Sequence, residues 1–265
     1  MAVEFEKQGH IALVGLNIPE SKNALGPEEL HDLYNIWEEC GADHEIRSVV
    51  FYSKLADIFC SGMNLKTAIP ILTGVRQPET EAERWALQDP QAFGKAMLKF
   101  KELDRPVIAA INGYCLTGGF EMVMGCELRV ASEDAVFQMR ETTLGIMPIG
   151  GSNVFLPAQV GQARAMEILL TGNNFTAQTL YEWGFLNRVV ARDMLMDTAM
   201  EFAERIAGNG PKSVRGMVRC ARAVQGIPFD DAMKKELEIG APIFSSDDAR
   251  EGVKAQREKR KPDFK

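Results

Sequence analysis

The stretch Ile111–Gly125 constrains this chain more than any other part of its sequence. An apolar strand pattern ends in a glycine-rich turn, and the turn leads directly into a short apolar helix whose only ionisable residue is Glu121. Gly118 and Gly119 let the backbone approach a ligand closely, and the first turn of the helix leaves N–H groups and a positive dipole end without partners in the helix. Because such a place suits a developing oxyanion, the stretch predicts a ligand-binding or catalytic site.

Two further segments also place a turn after an apolar strand pattern. Glu141, twenty residues after Glu121, closes an apolar strand pattern, and a second turn-rich segment follows it as far as Gly151. Upstream, Ile58–Leu65 supplies a third turn after the apolar strand pattern Val49–Tyr52. We expect the three loops and the two glutamates to converge on one site.

These segments resemble the enoyl-CoA hydratase/isomerase (crotonase) superfamily, and in particular its hydratase branch. The run FCSGMNL at 59–65 is similar to the family's FCAGADL, and IAAINGYCLTGGFEMV at 108–123 is similar to IAAINGYALGGGCELA. Glu141–Gly151 resembles the block PE…LGI.P..GG, and NIPESKNAL at 17–25 is similar to NRPEKRNAL. Since the four blocks keep the family's order and spacing, the resemblance is specific, and it covers nearly the whole chain.

Alternating strand and helix patterns indicate an α/β fold class. The resemblance implies a crotonase-like spiral of ββα units with a C-terminal helical trimerisation region. Because the pattern is helical from about residue 191, we expect a ββα core with the CoA and acyl site over 1–190 and a helical region over 191–265. Strands are expected at Ile11–Leu16, Ser48–Tyr52, Val107–Ile111, Leu128–Ala131, Ala135–Gln138 and Arg188–Val190.

Helix patterns are expected at several places, including Ala92–Leu103 and the segment from Ala177 to Trp183, which Thr176 would cap. The segment Pro70–Pro90 reads as irregular. It is either a loop that covers a pocket or a surface insertion without a functional role.

Composition excludes several other classes of protein. The 30 basic and 37 acidic residues give a net charge of −7, which argues against a nucleic-acid surface, and no apolar run approaches the roughly 20 residues of a membrane-spanning helix. Five cysteines without CxxC spacing predict reduced thiols, and the scattered histidines predict no metal site. We therefore expect a cytoplasmic protein with no permanently bound cofactor and no nucleic-acid or membrane partner.

The resemblance implies a role for each candidate catalytic residue. In crotonase-like proteins, two backbone N–H groups at the positions of Met63 and Gly118 form an oxyanion hole for the thioester oxygen. The catalytic glutamates of the hydratase branch match Glu121 and Glu141. We expect Glu141 mainly to protonate the substrate and Glu121 mainly to position and activate water. Burial should raise the pKa of Glu121, and Arg140 should hold Glu141 ionised if its side chain turns inwards.

The substrate implied by the resemblance is an acyl-CoA, so coenzyme A is part of the substrate. The expected substrate-binding residues are Asn23, Ala24, Leu25, Cys60, Ser61, Gly62 and Leu65. Seven basic side chains between residues 250 and 265 could receive the CoA phosphates or form a solvated helix end. The resemblance also implies a homotrimer or a dimer of trimers.

Four departures from the common hydratase pattern lie around the proposed pocket. Thr117 replaces a glycine, Asn64 replaces an aspartate and Arg140 replaces a proline, while Pro148–Gly151 is one residue short. We expect these departures to change which acyl group is bound more than how the oxyanion is stabilised, because the two oxyanion positions and both glutamates remain.

Bulky apolar residues near the pocket predict a branched or cyclic acyl chain. Phe120 and Met63 add bulk, and an apolar lining is expected from Met147, Ile149 and Trp85.

The favoured function is hydro-lyase activity, the reversible addition of water to a 2-enoyl-CoA. A Δ3,Δ2-enoyl-CoA isomerase needs only one proton-shuttling glutamate, whereas a specialised hydroxyacyl-CoA dehydratase would use the same residues in reverse. A non-catalytic acyl-CoA binder would retain only the fold. In a purely structural reading, Glu121 pairs with an arginine such as Arg129. The two retained carboxylates favour the hydratase.

Overall fold

Runs of consecutive apolar residues form the middle of the main sheet in the computed structural model, which describes residues 2–88, 91–100 and 103–265. Parallel strands that are buried on both faces need such continuous apolar sequence. In chain order the strands are β1 (Val3–Gln8), β2 (Ile11–Leu16), β3 (Ala24–Leu25), β4 (Ser48–Ser53), β5 (Ile58–Cys60), β6 (Gly62–Met63), β7 (Val107–Ile111), β8 (Tyr114–Leu116), β9 (Leu128–Ser132), β10 (Val136–Gln138), β11 (Phe175–Thr176) and β12 (Arg188–Val190).

Within the described residues these strands pair into sheets of six, four and two strands. The main sheet has the order β1-β2-β4-β7-β9-β12, in which β1 is antiparallel to β2 and the other neighbours are parallel. The second sheet has the order β11-β10-β8-β5, with only β10 and β11 antiparallel. Strands β3 and β6 form a short parallel pair.

Helices connect and cover these sheets. They are α1 (Pro27–Ala42), α2 (Ala68–Leu72), α3 (Glu81–Gln88), α4 (Ala92–Ala96), α5 (Gly118–Met124), α6 (Ser152–Val160), α7 (Gln162–Thr171), α8 (Ala177–Glu182), α9 (Leu195–Ala207), α10 (Pro211–Ala223), α11 (Phe229–Phe244) and α12 (Asp247–Glu258), with short 3₁₀ helices at Pro19–Ser21, Glu141–Leu144 and Arg192–Met194. Thr176 caps α8 as predicted, since its side chain accepts a hydrogen bond from the N–H of Thr179 at 3.1 Å.

The main sheet separates two apolar cores because successive side chains of a strand point to opposite faces. Phe51 and Ala109 belong to the larger core, which also contains the buried faces of α1 and α5. Val50 and Ile108, one position away in each strand, pack in the smaller core with Ala199 of α9. Both faces of the sheet are therefore buried.

The last helices bury far less than the rest of the chain. In α10 only Gly216 and Val218 are buried, and α11 has no buried residue over Phe229–Phe244. None of the helices in the described part of the chain is long and apolar enough to cross a membrane. The division of the chain at residue 190 stays a prediction, and α9, which follows that position, packs on the main sheet.

The predicted strands occur with bounds that agree to within one residue at either end. The short strands β3, β5, β6, β8 and β11 were not predicted, and the longer strand β1 was also missed. It alternates apolar with charged residues, and its last three residues are exposed at the edge of the sheet.

Two helix predictions were wrong in their extent. The helix expected at Ala92–Leu103 ends at Ala96, and Leu98 has a φ of 59°, which a continuing helix does not allow; residues 101 and 102 lie outside the described residues. The segment Pro70–Pro90 is not irregular throughout, since it contains α3 and the end of α2. Residues 89 and 90 lie outside the described residues.

Helix α3 is held in place by an aromatic contact with α1. The Trp85 ring lies 5.0 Å from the His31 ring and 5.3 Å from the Tyr34 ring, measured between centroids. Trp85 therefore packs against α1, and its expected place in the lining of an acyl pocket gains no support.

Candidate active site

Glu121 is a buried carboxylate in the first turn of α5, with 5% of its surface exposed. Its Oε1 accepts hydrogen bonds from the Ser152 hydroxyl at 2.9 Å and from the Ser152 N–H at 3.3 Å. Burial raises the pKa of Glu121, as predicted, while the bonds from Ser152 and the charge of Lys99 oppose the rise. The Ser152 side chain and backbone therefore both favour the ionised form of Glu121.

Glu141 is the second buried carboxylate, with 8% of its surface exposed, and it opens the 3₁₀ helix that follows β10. Its Oε2 is buried and has no hydrogen-bond partner in the described part of the chain. Burial, and then the negative charge of Glu121, raise the pKa of Glu141 to about 7. The charge of Glu121 acts on Glu141, so the two carboxyl groups lie close enough to interact electrostatically.

Neither arginine considered from the sequence acts on these glutamates as expected. Arg140 is exposed, so the inward turn on which the expectation depended does not occur; its charge lowers the pKa of Glu141, but burial and the charge of Glu121 outweigh it. The Arg129 guanidinium lies 4.3 Å from the centre of the Phe185 ring and donates to the Gln159 side chain at 3.1 Å. The structural reading in which Arg129 pairs with Glu121 was therefore also wrong.

The backbones of Met63 and Gly118 approach each other closely. A Cβ atom added at Gly118 would lie 3.4 Å from the Met63 nitrogen and 3.3 Å from its Sδ. The N–H of Asn64 donates to the Leu25 carbonyl at 2.8 Å, so the preceding N–H, that of Met63, faces away from β3. Gly118 is the first residue of α5, and its N–H has no acceptor within the helix.

The expected substrate-binding residues lie around the β3–β6 pair. Ala24 is opposite Gly62, and Leu25 is opposite Met63. Ser61 is half-buried just before β6, and Leu65, two residues after it, is exposed. The structure thus brings this set to the same side of the molecule as the proposed oxyanion donors.

Two residues of that set have side chains that are occupied internally. The Asn23 side chain accepts from the Ile18 N–H at 2.8 Å and donates to Ser53 Oγ at 2.9 Å and to the Phe59 carbonyl at 3.0 Å. The Cys60 thiol donates to the Asn23 carbonyl at 3.0 Å, and burial raises the pKa of this thiol to about 12. Their side chains brace the loop and do not offer a polar group to a ligand.

The apolar residues near the site divide into buried and exposed ones. The expectation that Phe120 adds bulk to the pocket was wrong, because its ring is fully buried, 5.2 Å from the Phe137 ring and 5.1 Å from the Phe185 ring. Met147 and Ile149 are exposed, the latter by 82%, on the loop that leads to Gly150.

Sequence reasoning missed Gly150 and Ser152, which both contact Glu121. A Cβ atom at Gly150 would overlap the Glu121 carboxyl group, and Ser152 donates two hydrogen bonds to the Oε1 of that group. The only sequence signal was the glycine pair before Ser152, which predicted a turn and gave no information about its partner.

No three His, Cys, Asp or Glu side chains in residues 2–88, 91–100 and 103–265 form a group that could hold a metal ion. The polar groups around the two carboxylates include the Ser152 donors, backbone N–H groups and Lys99, whose Nζ donates to the Glu121 carbonyl.

The model of one protein family, described as enoyl-CoA hydratase/isomerase, matches residues 6–265. The chain belongs to the enoyl-CoA hydratase/isomerase family. The prediction of the crotonase superfamily from four sequence blocks is thereby confirmed.

Relatives of this family member agree with the assignment along its whole length. Enoyl-CoA hydratase EchA19 of Mycobacterium tuberculosis is 34% identical over 259 residues, which are 98% of this chain and 94% of the relative. The (E)-benzylidenesuccinyl-CoA hydratase of Thauera aromatica is 32% identical over 265 residues, covering 100% and 99%. Both names are those of hydro-lyases.

A solved structure establishes the fold of this family member. The crystal structure of enoyl-CoA hydratase from Bacillus anthracis superposes with a TM-score of 0.89 at 30% identity, covering 100% of this chain and 99% of that one. The predicted α/β crotonase fold is confirmed.

Proposed function

We propose that this enzyme catalyses the reversible addition of water to a 2-enoyl-CoA thioester. The observation that carries the proposal is the presence of two buried, electrostatically interacting glutamates beside the adjacent backbones of Met63 and Gly118. Ser152 donates two hydrogen bonds to one carboxylate, that of Glu121, whereas the Oε2 of Glu141 has no partner among the described residues. Different surroundings for two neighbouring carboxyl groups are what an acid and a base of one reaction need.

In the first step, the N–H groups of Met63 and Gly118 donate to the thioester oxygen. The two donors stabilise negative charge on this oxygen. The carbonyl group therefore withdraws electron density from the conjugated alkene, which makes the β-carbon electrophilic. Backbone donors hold their position without reorganising, and removing one donor of such a pair typically costs roughly 100- to 1,000-fold in rate.

In the second step, Glu121 accepts a proton from a water molecule, which adds its oxygen to the β-carbon. The resulting enolate takes a proton at the α-carbon from Glu141. This division of roles is supported by the Ser152 hydrogen bonds, which favour ionised Glu121, and by the pKa of Glu141, which burial and the charge of Glu121 raise to about 7.

The test is the loss of absorbance of the conjugated thioester for straight, branched and cyclic 2-enoyl-CoAs. We expect Glu121→Gln and Glu141→Gln each to lower kcat by about 100- to 10,000-fold, since each removes a positioned acid or base. Glu133→Gln is the matched control because Glu133 is exposed, and it should retain the wild-type rate.

Other outcomes of this experiment distinguish the alternatives. Conversion of a 3-enoyl-CoA that survives Glu121→Gln would replace the hydratase by the one-glutamate isomerase. Faster turnover from the hydroxyacyl-CoA side would make the enzyme a dehydratase. Binding of all substrates without turnover would leave only an acyl-CoA binder.

We also propose that the CoA part of the substrate lies along the β3–β6 pair, next to Ser61 and Leu65. The basic residues between 250 and 265 are partly neutralised within the chain, since Arg260 pairs with Glu251 and Glu258. Lys254 and Arg257 line a surface groove with Phe244 and remain the best candidates for phosphate contacts.

We propose that copies of the chain associate as a homotrimer or a dimer of trimers through the last helices. Support comes from α11, which buries no residue in the single chain, and from exposed apolar residues on α10, α11 and α12: Met217, Phe229, Met233, Leu237, Phe244 and Val253. Apolar patches of this kind mark protein interfaces.

Light scattering after size-exclusion chromatography tests the assembly. The wild type should have three or six times the monomer mass, and Leu237→Glu should lower it because a charge is placed in the interface. Val75→Glu is the control at an exposed apolar residue outside these helices. A monomeric wild type would refute the proposal.

A further inference from the structure

Thr117 occupies a backbone conformation that suits glycine. Its φ is 48° and its ψ is −119°, and it directly precedes Gly118 at the start of α5. Positive φ is unfavourable for a branched side chain, and residues held in such regions persist where the surroundings enforce them, commonly at functional sites. The family pattern has a glycine at this position, which would adopt the conformation without strain.

The backbone of Thr117 is tied to both proposed catalytic segments. Its N–H donates to the Gln138 carbonyl at 2.8 Å, at the end of the strand that leads to Glu141. Its carbonyl accepts from the N–H of Glu121 at 2.8 Å. A glycine at the same position could make both bonds, so they do not account for the side chain.

The side chain of Thr117 reaches the loop that carries the other oxyanion donor. Its hydroxyl donates to the Ser61 carbonyl at 3.3 Å, two residues before Met63. The Thr117 Oγ1 also fills the space next to Gly62, where an added Cβ atom would overlap it. Thr117 therefore contacts the Met63 loop through its hydroxyl while its own peptide carries the N–H of Gly118.

We propose that the Thr117 hydroxyl is a positioning group that sets the separation of the Met63 and Gly118 N–H donors. This inference rests on the oxyanion part of the proposed function. The strained backbone is retained because the hydroxyl holds the two donor loops in register, which glycine cannot do. Thr117 acts through the two N–H groups and touches no reacting atom.

Three substitutions at Thr117 distinguish the effect of its hydroxyl group from the effect of its strained backbone. Thr117→Val removes the hydroxyl and keeps the branched side chain, Thr117→Gly removes both, and Thr117→Ser keeps the hydroxyl. Because misplaced donors lower transition-state stabilisation more than substrate binding, Val and Gly should lower kcat by about 10-fold or more with KM changed by less than about threefold. Thr117→Ser should stay within about threefold of the wild-type kcat.

The melting temperatures of the Thr117 variants, together with a matched control variant, test whether Thr117 only stabilises the fold. Thr117→Gly should melt no lower than the wild type, because loss of strain offsets loss of the hydrogen bond. Thr198→Val is the control, since the Thr198 hydroxyl also donates to a backbone carbonyl, that of Met194 at 2.8 Å, and lies on α9. It should leave kcat unchanged.

Absorption of a bound aryl-conjugated enoyl-CoA gives a readout that does not need turnover. Stronger hydrogen bonds to its carbonyl oxygen move the absorption maximum to longer wavelength. The wild type and Thr117→Ser should show this red shift, and Thr117→Val and Thr117→Gly should show a smaller one.

The outcomes separate this proposal from the hydratase itself. An equal red shift and an equal kcat in all Thr117 variants would overturn the positioning role and leave the hydratase intact. A Thr117-dependent red shift in a protein without hydration activity would refute the hydratase and support the positioning role. A wild type without any red shift would overturn the positioning role, because no carbonyl would be held by the two donors.

Discussion

The middle of the main sheet and the loops around Glu121 differ in what they bury and in how strained their backbones are. In β4 and β7, apolar side chains are completely buried, and the Phe51 ring meets the rings of Trp37 and Phe59 edge-on at 5.7 and 5.3 Å. At the start of α5, by contrast, the Glu121 carboxylate is buried and Thr117 has a positive φ, and a second carboxylate, that of Glu141, is buried where the 3₁₀ helix after β10 begins.

This difference separates the part of the molecule that stabilises the fold from the part in which we propose that the reaction takes place. Burial of apolar surface in the sheet stabilises the fold, whereas burial of the Glu121 and Glu141 carboxyl groups opposes it. Strained or poorly solvated groups persist only where surrounding structure enforces them. Substitutions in the sheet should therefore change stability, and substitutions in the loops should change activity.

The largest effect on stability is expected in the smaller core, on the face of the sheet turned away from α5. Ile108 is fully buried against α9, and Ile108→Ala should lower the free energy of unfolding by about 2–5 kcal/mol because it leaves a cavity. Urea denaturation measures the change, and kcat of the folded molecules should stay near the wild-type value. Val75→Ala, at an exposed site, should change stability by less than about 0.5 kcal/mol. Loss of activity without loss of stability in Ile108→Ala would contradict the claim that substitutions in the sheet act on stability.

A smaller effect, confined to activity, is expected at Gly150. A Cβ atom there would overlap the Glu121 carboxyl group, so Gly150→Ala should displace this carboxyl and lower kcat by about 10- to 100-fold. Steady-state kinetics with a 2-enoyl-CoA measures the loss. Gly208→Ala is the control, since the added atom would meet its neighbours at 3.4 Å, an ordinary contact. An unchanged kcat in Gly150→Ala would show that Glu121 does not need its present position.

The pH dependence of hydration tests which carboxylate is the acid. Burial and the charge of Glu121 raise the pKa of Glu141 to about 7, so Glu141 is protonated below that pH. If it delivers the proton, kcat/KM should fall about tenfold per pH unit above 7. A rise of kcat/KM over the same range would instead make Glu141 the base.

The smallest effect is the contribution of Glu141 to the pH dependence of stability. Its pKa in the folded chain is raised above the ordinary value of 4.5, so its favourable contribution is complete below pH 4.5 and is lost as pH rises through about 7. With allowance for its partial exposure to solvent, the loss should be about 1–2 kcal/mol between pH 5 and pH 9. Urea denaturation of Glu141→Gln should show a smaller loss, and Glu133→Gln should behave as the wild type. Identical pH dependence in all three proteins would contradict the buried environment of Glu141.

The sequence predicted the elements in which local pattern and burial agree. The apolar runs of β2, β4 and β7 are continuous, and the glycine turn before α5 gave a clear start for that helix. Strand β1 was missed because its edge position leaves half of it exposed, and the helix after Ala92 was overextended because its apolar spacing continues beyond the turn at Leu98.

In the candidate site, too, the sequence predicted features of short segments and did not predict contacts between distant residues. Glu121 stood out because a carboxylate in an apolar segment is unusual on its own, whereas Glu141 was identified by the family resemblance, since a glutamate at the end of a strand is ordinarily a surface residue. Ser152, Gly150 and the route of the Thr117 hydroxyl to Ser61 could not be predicted, since each depends on a contact between residues that are distant in the chain.

By itself, the sequence determined the α/β class, the family and the pair of glutamates, because apolar periodicity, glycine turns and motif spacing are properties of short segments. Only the tertiary structure decided which partners surround each carboxyl group. Those partners set its pKa, since desolvation and nearby charges depend on every element packed around it. Arg140 illustrates this: it precedes Glu141 in the chain and its charge lowers the pKa of that carboxyl group, yet its side chain is exposed, and burial together with the charge of Glu121 outweighs it.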